Sequence, residues 1–157
     1  MPLSQRDVQI EIFAAVGVLA CLYMAVHYLP LLPDTIPTHF GASGRPDGWG
    51  PKSTVWFIPV LNIVLYALLT VVTKLPHISN YPVTVTEGNA QRLYRLYSSL
   101  MRWTKLWIVW MFTLVERSIV DVAMGSTNGL NPAIFFAMLA VILGTSVYFT
   151  VAMYRAR

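Results

Sequence analysis

Charged residues are scarce in this sequence: Asp, Glu, Lys and Arg make up 11% of its 157 residues, whereas a soluble domain has about 25%. Hydrophobic residues reach 56%, and the mean hydropathy is +0.58. These values exclude an ordinary soluble domain and predict an integral membrane protein. The net charge of +4 does not indicate nucleic-acid binding, because basic residues beside apolar spans more often record orientation in a membrane. We expect a lipid bilayer as partner and no nucleic acid.

The sequence also has only a single cysteine and no recognisable catalytic motif. The one cysteine, Cys21, lies inside an apolar run, which excludes an intrachain disulfide. The sequence contains no nucleophile elbow, phosphate-binding loop or dinucleotide fingerprint. An enzyme is therefore the less favoured interpretation, and the cofactor, if there is one, is unknown.

Long apolar runs define the predicted fold, an all-α integral membrane protein with a single domain over residues 1–157. The four predicted transmembrane helices form a bundle and cover about residues 8–30, 54–75, 87–121 and 132–154. An apolar run of about 20 residues is enough to cross a hydrocarbon core of about 30 Å. We expect Asn62, the one strongly polar residue of the second helix, to hydrogen-bond to a neighbouring helix. Asn131 is predicted to cap the fourth helix, with Pro132 at its first position.

The third segment differs from the others because it carries charges and has no proline. It predicts one helix of about 35 residues, capped by Thr86 and about 50 Å long. Its polar side chains fall on one side, with Glu116 at the margin; they are Arg92, Arg95, Ser99, Arg102, Thr113, Arg117 and Asp121. A charge in hydrocarbon costs about 2.5 to 3.5 kcal/mol, so this stripe should face the bundle interior. Arg117 is expected to pair with Glu116 or Asp121.

Basic residues predict the orientation of the chain. Lys and Arg near membrane-spanning segments are enriched on the cytoplasmic side. This rule assigns both termini to the cytoplasm and the segment 31–53 to the outside. The inside then holds Arg6, Lys74, Arg92, Arg95, Arg102, Lys105, Arg155 and Arg157, and the outside or its border holds Arg45, Lys52 and Arg117. We interpret Arg92, Arg95, Arg102 and Lys105 as a cytoplasmic membrane anchor.

The segment 31–53 interrupts the apolar runs. Together with Pro30 it holds five of the ten prolines and four of the nine glycines. Proline removes a backbone donor and glycine loses the most entropy on ordering, so we predict a series of tight turns rather than a helix.

A sequence signature lies in the same segment. Residues 33–40, PDTIPTHF, are followed by Gly44, Asp47 and Lys52. They resemble the P-x-x-x-P-x-H-F (or W), G-x-x-D and K signature of a bacterial membrane domain of unknown function, found at the N-terminal side of SdpI-type immunity proteins. The resemblance covers roughly residues 18–75. It implies a multi-pass protein of the bacterial inner membrane with an immunity role against a secreted toxin or a role in signalling its presence. Residues beyond 75 lack the Arg-Thr-Pro segment typical of the SdpI second half.

Side chains capable of chemistry converge on the predicted outer surface. We predict that the segment 31–53 caps a polar pocket formed with the first and third helices, which binds a peptide, a lipid or another small ligand. The predicted ligand-binding residues are His39, Asp47, Trp49, Lys52, Glu116, Arg117 and Asp121. A structural interpretation also stands, in which Asp47 caps a turn and pairs with Lys52 while His39 hydrogen-bonds to a backbone carbonyl.

Two further functions remain open. A membrane-embedded metal-dependent enzyme would use His39 and Asp47, completed by His27, Glu116 or Asp121, as the nitrogen and oxygen ligands that Zn²⁺ accepts. An accessory subunit or small transporter would instead form a homo-oligomer or join a larger membrane complex.

Overall fold

The structure, a computed structural model, describes residues 3–157. Four long helices dominate the described chain: α1 (Gln5–Tyr28), α2 (Phe57–Thr73), α3 (Ala90–Ala123) and α4 (Pro132–Arg155). Strands β1 (Thr35–Phe40) and β2 (Pro46–Pro51) form an antiparallel pair between α1 and α2. Short 3-10 helices precede α2 at Lys52–Trp56 and follow it at Pro76–Ile78.

Three helical segments of the described chain are long and apolar enough to cross a membrane: Gln5–Tyr28, Lys52–Thr73 and Pro132–Arg155. They support a mostly helical, multi-pass membrane protein, as predicted. α3 is not among them because it carries charged residues at both ends. The fourth crossing and the cytoplasmic placement of the termini remain predictions.

The segment between α1 and α2 corrects the prediction of an all-α fold, because it forms a β-hairpin rather than a series of turns. The register pairs Thr35 with Pro51 and Phe40 with Pro46. Proline is tolerated here because both strands of a two-stranded sheet are edge strands, so a missing donor need not break a ladder bond. Gly44 closes the turn with a φ of 78°, a conformation that glycine adopts without steric cost.

α3 is the central element of the fold, since it contacts α1, α2, α4 and β1. Its contact with α1 is close because Gly17 has no side chain: a Cβ there would lie 2.7 Å from Val109 Cγ1. An apolar cluster that includes Ile36 and Ile119 joins the hairpin to α3. α4 packs against α3 and leaves most of its own surface exposed.

The connection before α3 changes the predicted start of that helix. Thr86 is not the cap; its backbone N–H donates to Asn89 Oδ1 at 2.8 Å, and α3 begins at Ala90. The Asn89 side chain also donates to the Thr84 carbonyl at 3.0 Å, which folds the preceding residues into a turn. Tyr81 donates to the Pro76 carbonyl at 2.7 Å. Burial raises the pKa of Tyr81 to about 12, so its hydroxyl stays protonated at neutral pH and can donate this hydrogen bond.

The start of α4 is as predicted. Asn131 accepts hydrogen bonds from the backbone of Ala133 at 3.0 Å and Ile134 at 3.3 Å, and Pro132 opens the helix. The adjacent residues hold the tip of the hairpin: the Leu130 N–H donates to the Gly44 carbonyl at 2.9 Å. A Cβ on Gly44 would lie 2.0 Å from the Leu130 carbonyl oxygen. The hairpin tip can therefore dock on the α3–α4 connection only with glycine at this position.

We predict that Gly44→Ala destabilises the protein more than Gly125→Ala does. Both glycines have positive φ values, so both substitutions carry the cost of about 1–2 kcal/mol for a left-handed residue. Only the Gly44 variant also meets Leu130, because nothing lies within 4 Å of a Cβ on Gly125. Loss of the Leu130 hydrogen bond adds about 1 kcal/mol. Thermal unfolding in detergent, followed by tryptophan fluorescence, measures the difference; equal losses would show that the tip does not dock.

Candidate functional site

Two irregularities in the hairpin ladder bring His39 and Asp47 together. The register shifts between Pro37 and His39 and again between His39 and Phe40, and such bulges re-aim side chains. His39 Nδ1 lies 2.5 Å from Asp47 Oδ1. Gly41 leaves room for this pair, since a Cβ there would lie 2.9 Å from Asp47 Oδ2. The carboxylate fixes one nitrogen of the His39 ring and leaves Nε2 as the nitrogen available to a ligand.

Beneath the hairpin lies a cavity of about 610 Å³, which we call the hairpin cavity. Its walls come from the hairpin, the segment from the 3-10 helix into α2, the second half of α3, and Leu130 with the start of α4. The lining residues are Pro37, Thr38, His39, Phe40, Gly41, Ala42, Gly44, Ser53, Thr54, Phe57, Ile58, Val115, Ile119, Leu130, Pro132, Phe135 and Phe136. The lining is mainly apolar, and its one ionisable side chain is His39.

The hairpin cavity differs from the predicted polar pocket. The expected walls were the first and third helices, but no residue of α1 lines the cavity. The prediction placed charged α3 residues against the segment 31–53; instead, Val115 and Ile119 face it. The difference arises because the hairpin folds over the start of α2 and its tip docks beside the start of α4.

The predicted ligand residues other than His39 lie outside the cavity lining. Lys52 pairs with Asp34 at 3.1 Å, not with Asp47 as the structural interpretation expected. His39 likewise contacts the Asp47 carboxylate rather than a backbone carbonyl. Trp49 is exposed on the hairpin. A ligand-binding role for these residues remains a prediction.

The buried face of α3 corrects the predicted polar stripe. Arg117 pairs with Asp121 at 2.8 Å, one of the two expected pairings, but its side chain is 51% exposed. Glu116 is fully buried, and neither carboxyl oxygen has a hydrogen-bond partner in the described chain. Adjacent residues on a helix are about 100° apart, so only one of these two side chains can face the interior. The helix rotation that packs Val109 and Val120 against the other helices selects Glu116.

Asn62 lies on the same buried layer and behaves as predicted. Its amide nitrogen donates to the Val109 carbonyl at 3.2 Å and to Thr113 Oγ1 at 3.3 Å. The Asn62 side-chain oxygen has no hydrogen-bond partner among residues 3–157. Together with Glu116, it makes the centre of the helix packing rich in acceptors and poor in donors.

We predict that Glu116→Gln preserves or raises the free energy of unfolding. An amide adds donors where acceptors are in excess, and the buried Glu116 carboxyl that it replaces has no hydrogen-bond partner among residues 3–157. Asp121→Asn is the matched control, because that carboxylate already has Arg117; we expect it to lose about 0.5 kcal/mol or less. Chemical denaturation in detergent measures both variants. A loss above about 1 kcal/mol for Glu116→Gln would reveal an unrecognised cationic partner.

The structure does not assemble the predicted metal ligands. Within residues 3–157, no group of three or more His, Cys, Asp and Glu side chains is placed to hold a metal ion. His39 and Asp47 are adjacent, but Glu116 is buried inside the helix packing. His27 stacks on Tyr23 at the end of α1, with ring centroids 5.3 Å apart. The His39–Asp47 pair, Glu116 and His27 therefore lie in three separate parts of the molecule.

An ion-pair network between α1 and α3 was missed by the sequence reasoning. Lys105 is fully buried and lies 2.6 Å from Glu11 Oε2 and 2.8 Å from Thr70 Oγ1. Arg102 contacts Asp7 at 3.1 Å and Glu11 at 3.7 Å. The assignment of Arg102 and Lys105 to a simple membrane anchor is thus incomplete. Asp7 and Glu11 are four residues apart on α1, and Arg102 and Lys105 are three residues apart on α3, so each pair lies on one face of its helix. This matching spacing was the signal in the sequence that could have revealed the network.

We predict that Glu11→Gln destabilises the protein by about 3–5 kcal/mol, because it leaves the buried Lys105 ammonium without its anion. Adding Lys105→Met should recover much of this loss, with a coupling of about 0.5–3 kcal/mol. Arg117→Gln serves as control, since its exposed pair with Asp121 contributes only about 0.3–0.5 kcal/mol. Thermal unfolding of the two single variants and the double variant in one detergent gives the double-mutant cycle. Additive effects of the two α1–α3 substitutions would contradict the contact.

Comparison with known proteins finds similarity over the stretch of the chain that contains the hairpin. Residues 16–63 match the family described as Domain of unknown function (DUF1648), a stretch that runs from α1 through both strands into α2. A curated protein of Archaeoglobus fulgidus, described as uncharacterized, is 40% identical over 53 residues, which are 32% of this chain and 29% of that protein. The chain thus matches less than a third of that relative's length. No solved structure matches the chain. Together with the apolar helices, the match is consistent with a small membrane protein of unknown function.

Proposed function

We propose that the chain is a ligand-binding membrane protein whose hairpin cavity takes up the apolar part of a peptide or lipid. The observation that carries this proposal is the cavity itself, about 610 Å³ in volume and walled by four separate elements. A cavity of this size, lined by apolar side chains with few polar groups, has the character of a small-molecule site.

The aromatic and aliphatic lining sets the chemical class of the ligand. Phe57, Phe135 and Phe136 come from two helices, while Val115 and Ile119 come from a third. Such surfaces favour an alkyl chain or an apolar side chain, because burial contributes about 25 cal/mol for each Å² removed from water. A strongly charged ligand would find no partner among these side chains.

His39 supplies the polar group that orients the ligand. It lies at the hairpin edge of the cavity, is 72% exposed, and is held by Asp47 through Nδ1. Its Nε2 is then available to a carboxylate, phosphate or amide at the polar end of a ligand whose apolar end enters the cavity. Asp47 acts as a positioning residue, because it does not line the cavity.

The topology that we propose places this site outside the cytoplasm of a bacterial inner membrane. α3 makes the fourth crossing, with its buried Lys105 neutralised by Glu11 of α1, and both termini lie in the cytoplasm in agreement with the positive-inside rule. The SdpI-like signature then supports an immunity or signalling role, in which the exposed hairpin meets a secreted peptide or a lipid.

A photoreactive palmitic-acid analogue bearing a diazirine on its chain tests the site in the reconstituted protein. We expect cross-links to Ile119 and Phe135 in the cavity, in addition to the lipid-facing Val64 and Val147. Ser53→Phe should abolish the cavity cross-links and leave the lipid-facing ones unchanged, because Ser53 lines the cavity yet is itself exposed. Ser53→Ala is the control and should label like the parent protein.

His39→Ala separates the polar contact from the apolar one. It should weaken cavity labelling by the palmitic-acid probe about fivefold, the equivalent of one hydrogen bond of about 1 kcal/mol. Labelling by an uncharged alkyl diazirine should not change. Cavity cross-links that persist in Ser53→Phe, or that are absent from the parent protein, would contradict the proposed function.

A further inference from the structure

A second cavity, which we call the basic cavity, opens at the end of the helices opposite the hairpin. Its volume is about 940 Å³, and four basic side chains line it: Arg6, Lys74, Arg95 and Arg102. The one carboxylate in the lining, Asp7, lies 3.1 Å from Arg102. Arg6, Lys74 and Arg95 form no ion pair with any residue in 3–157. Three cations thus face a shared space whose one carboxylate, Asp7, is paired with Arg102.

Hydroxyl groups complete this environment. Ser4, Ser98 and Ser99 line the same space. The Ser4 hydroxyl donates to Asp7 and the Ser98 hydroxyl donates to the Thr73 carbonyl, so Ser99 supplies the hydroxyl donor for a ligand. Arginine forks and hydroxyls are the donors that bind phosphate oxygens in proteins. The basic cavity therefore has the chemistry of a phosphate site.

An apolar cleft of about 650 Å³ adjoins the basic cavity, and the two share Arg6, Asp7 and Ser99. The cleft, which we call the aromatic cleft, runs between α1, α3 and α4. Trp103 and Trp107 line it with their rings stacked at 5.9 Å. Gly144 lies on its α4 wall, where a Cβ would meet nothing within 4 Å.

We propose that the basic cavity and the aromatic cleft together form a site for an anionic phospholipid. The phosphate headgroup lies among Arg6, Lys74 and Arg95, and an acyl chain lies along Trp103 and Trp107. A free phosphate ion would use only the basic half, and a zwitterionic lipid would bring a cation towards three unpaired cations. The continuity of the two halves thus favours an anionic lipid, and basic pockets between transmembrane helices bind such headgroups. This site is independent of the hairpin cavity.

Fluorescence quenching measures the proposed binding, because Trp103 and Trp107 lie in the cleft. The full chain is reconstituted in dioleoyl phosphatidylcholine vesicles containing a small mole fraction of phosphatidylglycerol with brominated acyl chains. We expect stronger quenching than with brominated phosphatidylcholine at the same mole fraction. Trp103→Phe combined with Trp107→Phe should remove this difference, whereas Trp49→Phe on the hairpin should keep it.

Charge and shape variants test the two halves separately. Arg6→Gln and Arg95→Gln should each lower the preference for the anionic lipid roughly fivefold. Arg92→Gln, on the same helix but outside the basic cavity, should keep it. Gly144→Phe should reduce quenching by both lipids, whereas Gly144→Ala should not.

Three outcomes would overturn the proposal. Equal quenching by the two lipids in the parent protein would show that the basic cavity does not select an anionic headgroup. An equal loss in Arg92→Gln and Arg95→Gln would indicate nonspecific surface attraction. Full competition by inorganic phosphate at millimolar concentration would assign the basic cavity to a soluble anion instead.

Discussion

The structure depends on ion pairs between two cations of α3, Arg102 and Lys105, and the carboxylates of α1. Lys105 is fully buried beside Glu11, and Arg102 lies against Asp7 and Glu11. A cation buried in a low-dielectric interior without such a partner would cost several kcal/mol. The contacts set the rotation of α3 relative to α1, and every other long helix packs on α3. The ion pairs thereby fix the arrangement of the helices, which form a different kind of cavity at each end.

The two ends of this scaffold offer opposite chemistry. At the hairpin end, aromatic and aliphatic side chains enclose the hairpin cavity, and His39 is its ionisable group. At the other end, cations surround the basic cavity, which opens into the aromatic cleft. The contact between Gly44 and Leu130 gives the first cavity its outer wall by holding the hairpin tip against the start of α4. Between the two ends lies Glu116, buried without a partner among the described residues.

Local sequence rules predicted those features of the fold that depend on near neighbours. The three apolar spans, the Asn131 cap with Pro132, and the contact between Arg117 and Asp121 all follow from composition or from spacing within one helix. Asn62 was also predicted correctly, because a lone amide in an apolar helix needs a polar partner.

Features that depend on long-range packing were not predictable in the same way. Lys105 and Glu11 are 94 positions apart, and their pairing was hidden because basic residues near a membrane end also serve as anchors. The choice between Glu116 and Arg117 as the buried residue depends on helix rotation, which local spacing leaves open. The hairpin was obscured by its prolines, and the hairpin cavity has walls from parts of the chain that only the fold brings together.

The central claim is that α3 crosses the membrane with Lys105 and Glu116 buried inside the bundle. The hairpin then lies on the extracytoplasmic side and the basic cavity on the cytoplasmic side. Cysteine accessibility in intact cells tests it most directly, using a Cys21→Ala background because Cys21 is the one native cysteine. We expect a membrane-impermeant thiol reagent to label Ser43→Cys in the hairpin and Ser126→Cys after α3, and to label Asn80→Cys before α3 only after permeabilisation. Labelling of Asn80→Cys and Ser126→Cys from the same side would contradict the account.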